Sequence, residues 1–233
     1  MKIGLFTDLH YCDKESISNR RPRLSYNKAQ EAMEHFKKNN VDLVVCLGDL
    51  VDDCDNKEKN IIEIKKICQM IHSYNIPFFS LMGNHDYQNF TREEFALYSG
   101  GAYPPFMYEC HNNTLVFLDS NYSSNGEIYV SNNIDWTDAK LPNDQMDALK
   151  RILNTKKNIY IFSHQSIDNT VDKYHIIKNS DKIRELIKES GSVKMVIQGH
   201  YHVGKDTIID NIPYHTLKAM CEFDKEYFEI LEL

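Results

Sequence analysis

Short apolar runs alternate with helix-period segments through the first third of the chain. Residues 2–8, KIGLFTD, read as a strand, and 42–49, DLVVCLGD, as a second one. The second is nearly all apolar, as expected of a strand covered on both faces. Between them, residues 25–40 carry Ala29, Ala32, Met33 and Phe36 at helical spacing, and 56–75, NKEKNIIEIKKICQMIHSYN, is strongly amphipathic. Pro77 starts a third strand that ends at Gly83. This β-α-β-α-β order predicts parallel strands joined by right-handed crossovers. Further along, strands at 114–119, 158–163 and 193–198 alternate with helices near 143–154 and 178–190. Residues 206–210, 213–218 and 226–232 read as closing antiparallel strands. Residues 120–141 are polar and irregular, a long loop of the functional or mobile kind. No repeat, low-complexity tract or linker interrupts the pattern, so the expectation is one α/β domain spanning residues 1–233.

Composition narrows the classes that remain. An apolar fraction of 42% and a charged fraction of 26% are ordinary for a globular protein. A formal net charge of −7 argues against a nucleic-acid partner, since binding a phosphate backbone needs surplus Lys and Arg. A small anionic substrate stays open, because the field inside a site can oppose the global charge. The six cysteines, at 12, 46, 54, 68, 110 and 221, form no CxxC pair and read as reduced thiols of a cytoplasmic protein. No run reaches the roughly 18 apolar residues of a membrane helix, so no membrane partner is expected.

The polar residues fall where the strands end. Strand one runs into Asp8 and His10, strand two into Asp49, and strand three into SLMGNHDYQNF, which places Asn84, His85 and Asp86 in succession. The 158–163 strand runs into His164, and the 193–198 strand into Gly199, His200 and His202. In open α/β sheets, sites form beyond the carboxyl ends of the strands. Asp8 with His10, and His200 with His202, are two apart, so each pair projects to one side. Asp8, His10, Asp49, Asn84, His164, His200 and His202 offer oxygen and imidazole nitrogen without thiolate, which suits Mn, Fe or Zn. Seven ligands are too many for one ion and about right for two that share a carboxylate. Two divalent ions outweigh the two aspartates even with a bridging hydroxide, so the pocket is locally cationic inside an acidic protein.

These five blocks, in this order over residues 8 to 202, resemble the calcineurin-like metallophosphoesterases. The resemblance implies a four-layer αββα sandwich of two mixed sheets flanked by helices. It also implies one metal held by Asp8, His10, Asp49 and His202, and a second by Asp49, Asn84, His164 and His200. The ions would be Mn²⁺, Fe²⁺ or Fe³⁺, or Zn²⁺. His85 would face the scissile phosphate and assist the leaving oxygen, with Asp86 orienting it, while a metal-bound hydroxide attacks phosphorus. Asp52 stands where the family often carries a carboxylate that backs up a histidine. The segments YCDKESISNRRPRLSY and YQNFTREEF are similar to those of the manganese-dependent ADP-ribose/CDP-alcohol diphosphatases, with the bacterial cyclic-nucleotide phosphodiesterases close behind. The expected substrate is a small phosphate ester or nucleotide cleaved at a phosphodiester or diphosphate bond, a phosphomonoester being the alternative. Arg20, Arg21 and Arg23 are candidates for a distal phosphate, and Tyr87 and Phe90 for stacking a base. Trp136, in the polar loop, is a candidate cover for the site, whereas His35, His72, His111, His175 and His215 lie in no motif and read as structural. A retromer-type scaffold of the same fold is the non-enzyme alternative, but such proteins can lose ligands that this chain keeps. A nuclease of the double-strand-break-repair type conflicts with the acidic balance.

Overall fold

Strands β1 (Lys2–Phe6), β2 (Leu43–Cys46) and β3 (Phe78–Ser80) run parallel, as the first-third pattern predicts. They are joined by helices α1 (Ser25–Lys38) and α2 (Lys57–His72). The structure is a computed structural model that describes residues 1–131, 133–222 and 227–233. A last strand, β10 (Glu229–Glu232), pairs antiparallel with β1, giving the sheet order β10-β1-β2-β3. The expected strand over 226–232 is therefore shorter, and residue 226 lies outside the described residues.

The second sheet holds β4 (Met107–Cys110), β5 (Asn113–Leu118), β6 (Ile159–Ser163), β7 (Val193–Gln198), β8 (Lys205–Ile209) and β9 (Ile212–Thr216). Its order is β4-β5-β6-β7-β9-β8, with β5, β6, β7 and β9 parallel. The hairpin β8–β9 is antiparallel as expected, but β9 lies parallel to β7. Helices α5 (Asn143–Thr155) and α6 (Ser180–Ser190) cover this sheet.

Strand alternation explains the four layers. Ile3, Leu5 and Val45 face Leu115, Phe117, Phe162 and Ile197 between the two sheets. The intervening residues Phe6, Val44 and Cys46 pack outward under Ala32, Phe36, Ile64 and Ile71 of α1 and α2. Val116, Ile161 and Val196 do the same under Leu149, Leu153, Ile183 and Ile187 of α5 and α6. Burial on both faces is why the central strands read as continuous apolar runs.

Three elements go beyond the sequence reading: β4, and the short helices α3 (Asn84–Asn89) and α4 (Arg92–Tyr98). The described residues of the polar 120–141 segment carry several internal ties. Tyr122 bridges Ile128, and buried Tyr129 donates its hydroxyl to the Asp135 carbonyl at 2.6 Å. A 3-10 turn, Trp136–Asp138, follows, capped by the Asp135 side chain accepting from the Thr137 N–H at 3.0 Å.

Candidate metal centre

Each strand stops one to four residues before its first candidate ligand, and the chain then peels off the sheet. Asp8, His10, Asp49 and His200 all sit in the left-handed region, at φ 52°, 46°, 50° and 63°. Non-glycine residues rarely adopt it, and strain of this kind clusters at functional sites. The turns persist because their backbones are interlocked: Asp8 N–H donates to Gly48 O at 3.0 Å, and His10 N–H to Asp49 O at 2.9 Å. Gly83 is dictated by crowding. A Cβ there would collide with Asp49 Oδ1 and come within 2.6 Å of His164 Nε2.

Asp8, Asp49, His164 and His202 each have one side-chain atom held by protein and another turned toward the other candidate ligands. Asp8 Oδ2 accepts from Thr7 Oγ1 at 2.6 Å and from His200 N–H at 3.1 Å, leaving Oδ1 inward. Asp49 Oδ1 accepts from His85 N–H at 2.8 Å, while Oδ2 lies 3.4 Å from both His10 Nε2 and His164 Nε2. His164 Nδ1 lies 2.9 Å from the Leu47 carbonyl; donating there leaves its Nε2 lone pair free for a metal. His202 Nε2 stands 3.3 Å from Asp8 Oδ1, and its Nδ1 meets Glu222 Oε1 at 2.5 Å.

Among the described residues, ten buried side-chain atoms lack a hydrogen-bond partner, and five of them are Asp8 Oδ1, His10 Nε2, Asn84 Oδ1, His164 Nε2 and His200 Nε2. Stranding so many buried polar atoms is costly unless something else engages them. The donors of Asp8, His10 and Asp49 lie within 4.8 Å of one another, and so do those of Asp49, His164 and His200. Asp49 belongs to both groups, so these residues could hold two ions across one carboxylate.

The charges fit the same picture. Burial alone would raise the Asp8 pKa, yet the neighbouring His10 and His202 rings hold it well below the carboxylate range. Asp49 is likewise depressed against its burial by the charges of His164, His85 and His10. Burial opposes a charge on His164, but Asp49 prevails and raises it to about 9. His200 is driven well below the ordinary range by burial and by neighbouring His164. The buried carboxylates therefore draw positive charge to this spot, which divalent cations would supply.

A second group adjoins the first. Asp52 lies 3.4 Å from His85 Nδ1 and 3.4 Å from His10 Nδ1, and it pairs with Arg20 at 3.1 Å. Arg20 Nη1 reaches His10 Nδ1 at 3.0 Å and His85 Nε2 at 3.1 Å. Asp86 occupies a different place from the expected one. Its fully buried carboxylate accepts from the N–H groups of Gly83, Leu50 and Val51 at 2.9, 3.2 and 3.1 Å. It thus ties together the loops after β2 and β3, and the position beside His85 belongs to Asp52.

The remaining candidates separate. Arg20 faces the centre, whereas Arg21 is exposed and Arg23 pairs with Asp13 at 2.8 Å on the surface. Tyr87 and Phe90 are buried in the α1–α2 core and line a separate cavity of about 770 Å³ beside α3 and α4. A pocket of about 400 Å³ holds Asp49, Asn84, His85, His200 and His202, and Trp136 and His175 stand at its side. His175, read from the sequence as structural, lines this pocket, as does Glu222, which the sequence reading did not single out; neither sits in a motif, and only folding brings them near. All six cysteines are free thiols, and among the described residues no helix is long and apolar enough to cross a membrane.

Residues 1–204, which include every residue of the donor set, match the family described as calcineurin-like phosphoesterase. The chain is 24% identical over 252 residues to the manganese-dependent ADP-ribose/CDP-alcohol diphosphatase of Arabidopsis thaliana, covering 87% of this chain and 80% of that protein. It is 26% identical over 208 residues to a 3',5'-cyclic adenosine monophosphate phosphodiesterase of Haemophilus influenzae, covering 87% and 70% respectively. The fold matches that of a dimetal phosphatase from Danio rerio with a TM-score of 0.85 and 18% identity, over 100% of this chain and 92% of the other. With the family match spanning nearly the whole length, the chain belongs to the calcineurin-like phosphoesterases and is a metal-dependent phosphoester hydrolase.

Proposed function

We propose that this protein hydrolyses a phosphodiester or diphosphate bond in a small nucleotide-like substrate, using two divalent ions, with Mn²⁺ the leading choice. The observation that carries the reading is the convergence of five unpartnered buried donor atoms on one spot, grouped around Asp49. Asp8, His10, Asp49 and His202 would hold one ion, and Asp49, Asn84, His164 and His200 the other. When bound, the ions supply a water-derived nucleophile near neutral pH and Lewis acidity for the charge that develops on the phosphoryl oxygens.

The chain's own residues do the rest. His85 lines the pocket, where its ring would assist the departing oxygen; before substrate arrives its Nε2 accepts from the Arg20 guanidinium at 3.1 Å. Asp52 sets the ring's orientation through Nδ1. Arg20 adds a fixed cation where the transition state gains negative charge. The names of the Arabidopsis and Haemophilus relatives, a diphosphatase of ADP-ribose and CDP-alcohols and a cyclic-AMP phosphodiesterase, support a nucleotide-like substrate. The six free thiols support a reducing, cytoplasmic setting. The shared cores and interlocked loops support one domain over residues 1–233.

The test is a turnover panel with Mn²⁺, comparing ADP-ribose, CDP-choline, cyclic AMP, phosphomonoesters and single-stranded DNA, with metal content measured on the same preparation. About two ions per chain and preferred turnover of a nucleotide diester or diphosphate are expected. No turnover with Mn²⁺, Fe²⁺ or Zn²⁺ would overturn the reading.

A further inference from the structure

The pocket over the candidate metal centre has two unlike sides. Toward Asn19, His202 and Glu222 its lining is polar. Toward His200 it is aromatic. The Trp136 ring lies 5.7 Å from His200 and 5.2 Å from His175, and His175 lies 5.2 Å from Tyr201. Two 3-10 turns, Trp136–Asp138 and Lys173–His175, bring these rings together from distant parts of the chain.

We propose that Trp136, backed by His175, is the wall against which a flat heteroaromatic ring of the substrate stacks, so that the enzyme selects phosphoesters carrying a nucleobase. This deepens the reading of the site as a phosphoesterase and rests on it. The turn that carries the indole is held without it: the Asp135 carboxylate accepts from Thr137 N–H at 3.0 Å and Thr137 Oγ1 at 2.7 Å, and Tyr129 donates to the Asp135 carbonyl. Trp136 nevertheless stays 40% exposed at the mouth of the pocket, a large apolar surface that a stacked ring would remove from water. The pocket volume of about 400 Å³ suits a small-molecule ligand and exceeds the needs of a phosphoryl group alone. A phosphate on the donor floor and a base on the aromatic side would use both halves.

Trp136 is the single tryptophan of the chain, so its emission reports directly on stacking. The probes are AMP and ribose 5-phosphate, which differ only in the base, added to the Mn²⁺-loaded protein. AMP is expected to quench the emission, while ribose 5-phosphate at equal concentration leaves it unchanged. As inhibitors of bis-p-nitrophenyl phosphate hydrolysis, AMP should bind roughly ten- to a hundredfold tighter than ribose 5-phosphate. That ratio should fall toward one in Trp136→Ala and be largely restored in Trp136→Phe. Equal quenching by both probes, or an unchanged ratio in Trp136→Ala, overturns the proposal. Quenching by AMP in a protein that hydrolyses nothing with any of the three metals would uphold the stacking wall while defeating the proposed reaction.

Discussion

Asp86 and Asp52 show how far residue type and spacing carry at the scale of single side chains. Both were legible as carboxylates near the centre, but their division of labour was not, because it depends on which way each projects after the chain leaves its strand. Asp86 accepts three backbone N–H groups that no other side chain serves. Asp86→Ala is therefore expected to cost about 3 kcal/mol or more, since each stranded buried donor costs roughly 1–3 kcal/mol. Thermal unfolding checks this, and an unchanged melting temperature would contradict the bracing role. Asp52 and His85 should behave oppositely. His85→Ala is expected to retain both metals and lose most activity, because its side chain lies outside the donor set. Asp52→Asn should lower activity about 10- to 100-fold, the usual effect of losing the partner that orients a site histidine. Metal content and kcat measured together check both; an Asp52→Asn protein with unchanged kcat would sever it from His85. The candidate ligands could be picked out because each stands a few residues past the end of a strand, whereas Glu222 and His175 approach from segments that carry no such marker.

At the scale of elements, the long two-sided strands and amphipathic helices were legible and the short elements were not. Helix α4 carried a signal that could have found it: Thr91 and Glu94 form a capping box, with Glu94 N–H donating to Thr91 Oγ1 at 3.2 Å and Thr91 N–H to Glu94 Oε2 at 3.0 Å. Helix α3 has only six residues, NHDYQN, too few for a 3.6-residue period to show. It matters all the same, because the β3–α3 junction delivers Asn84 and His85 to the centre. The junction tolerates no side chain at Gly83, where an added Cβ would lie 2.6 Å from the Asp49 backbone nitrogen as well as against its carboxylate. Backbone cannot yield as a flexible side chain does, so Asp49 must move. Gly83→Ala is expected to lose most bound metal at both positions, since Asp49 serves both groups. Metal analysis alongside circular dichroism separates this from unfolding: a folded variant with two ions would show that the junction has room to spare.

On the scale of the whole molecule, the family resemblance implied two sheets but not what joins them at their edge. The apolar filling between them is ordinary, while His215 forms a polar tie across it. His215 lies on β9 in the six-stranded sheet, and its Nε2 meets Glu229 of β10, in the four-stranded sheet, at 2.8 Å. Its Nδ1 faces Asp206 of β8, so one carboxylate approaches the ring from the adjacent strand and the other from the opposite sheet. The hydrogen bond that His215 donates to Glu229 is the main cause that raises the His215 pKa from the ordinary 6.5 to about 9. The folded state thus holds the proton more tightly than the unfolded chain does. The stabilisation is complete below about pH 6.5, shrinks between 6.5 and 9, and is gone above about 9. Glu229 and Asp206 are 54% and 83% exposed, so solvent screens the tie and its worth is on the order of 1 kcal/mol. For a chain of 233 residues, that corresponds to roughly 2–4 °C in melting temperature. His215→Ala should melt lower than the parent by about that amount at pH 6 and by much less at pH 10. Comparing the two proteins at each pH cancels the titration of the metal centre, which both share. A deficit of the same size at both values would mean that packing at the sheet edge, rather than charge, is what His215 contributes.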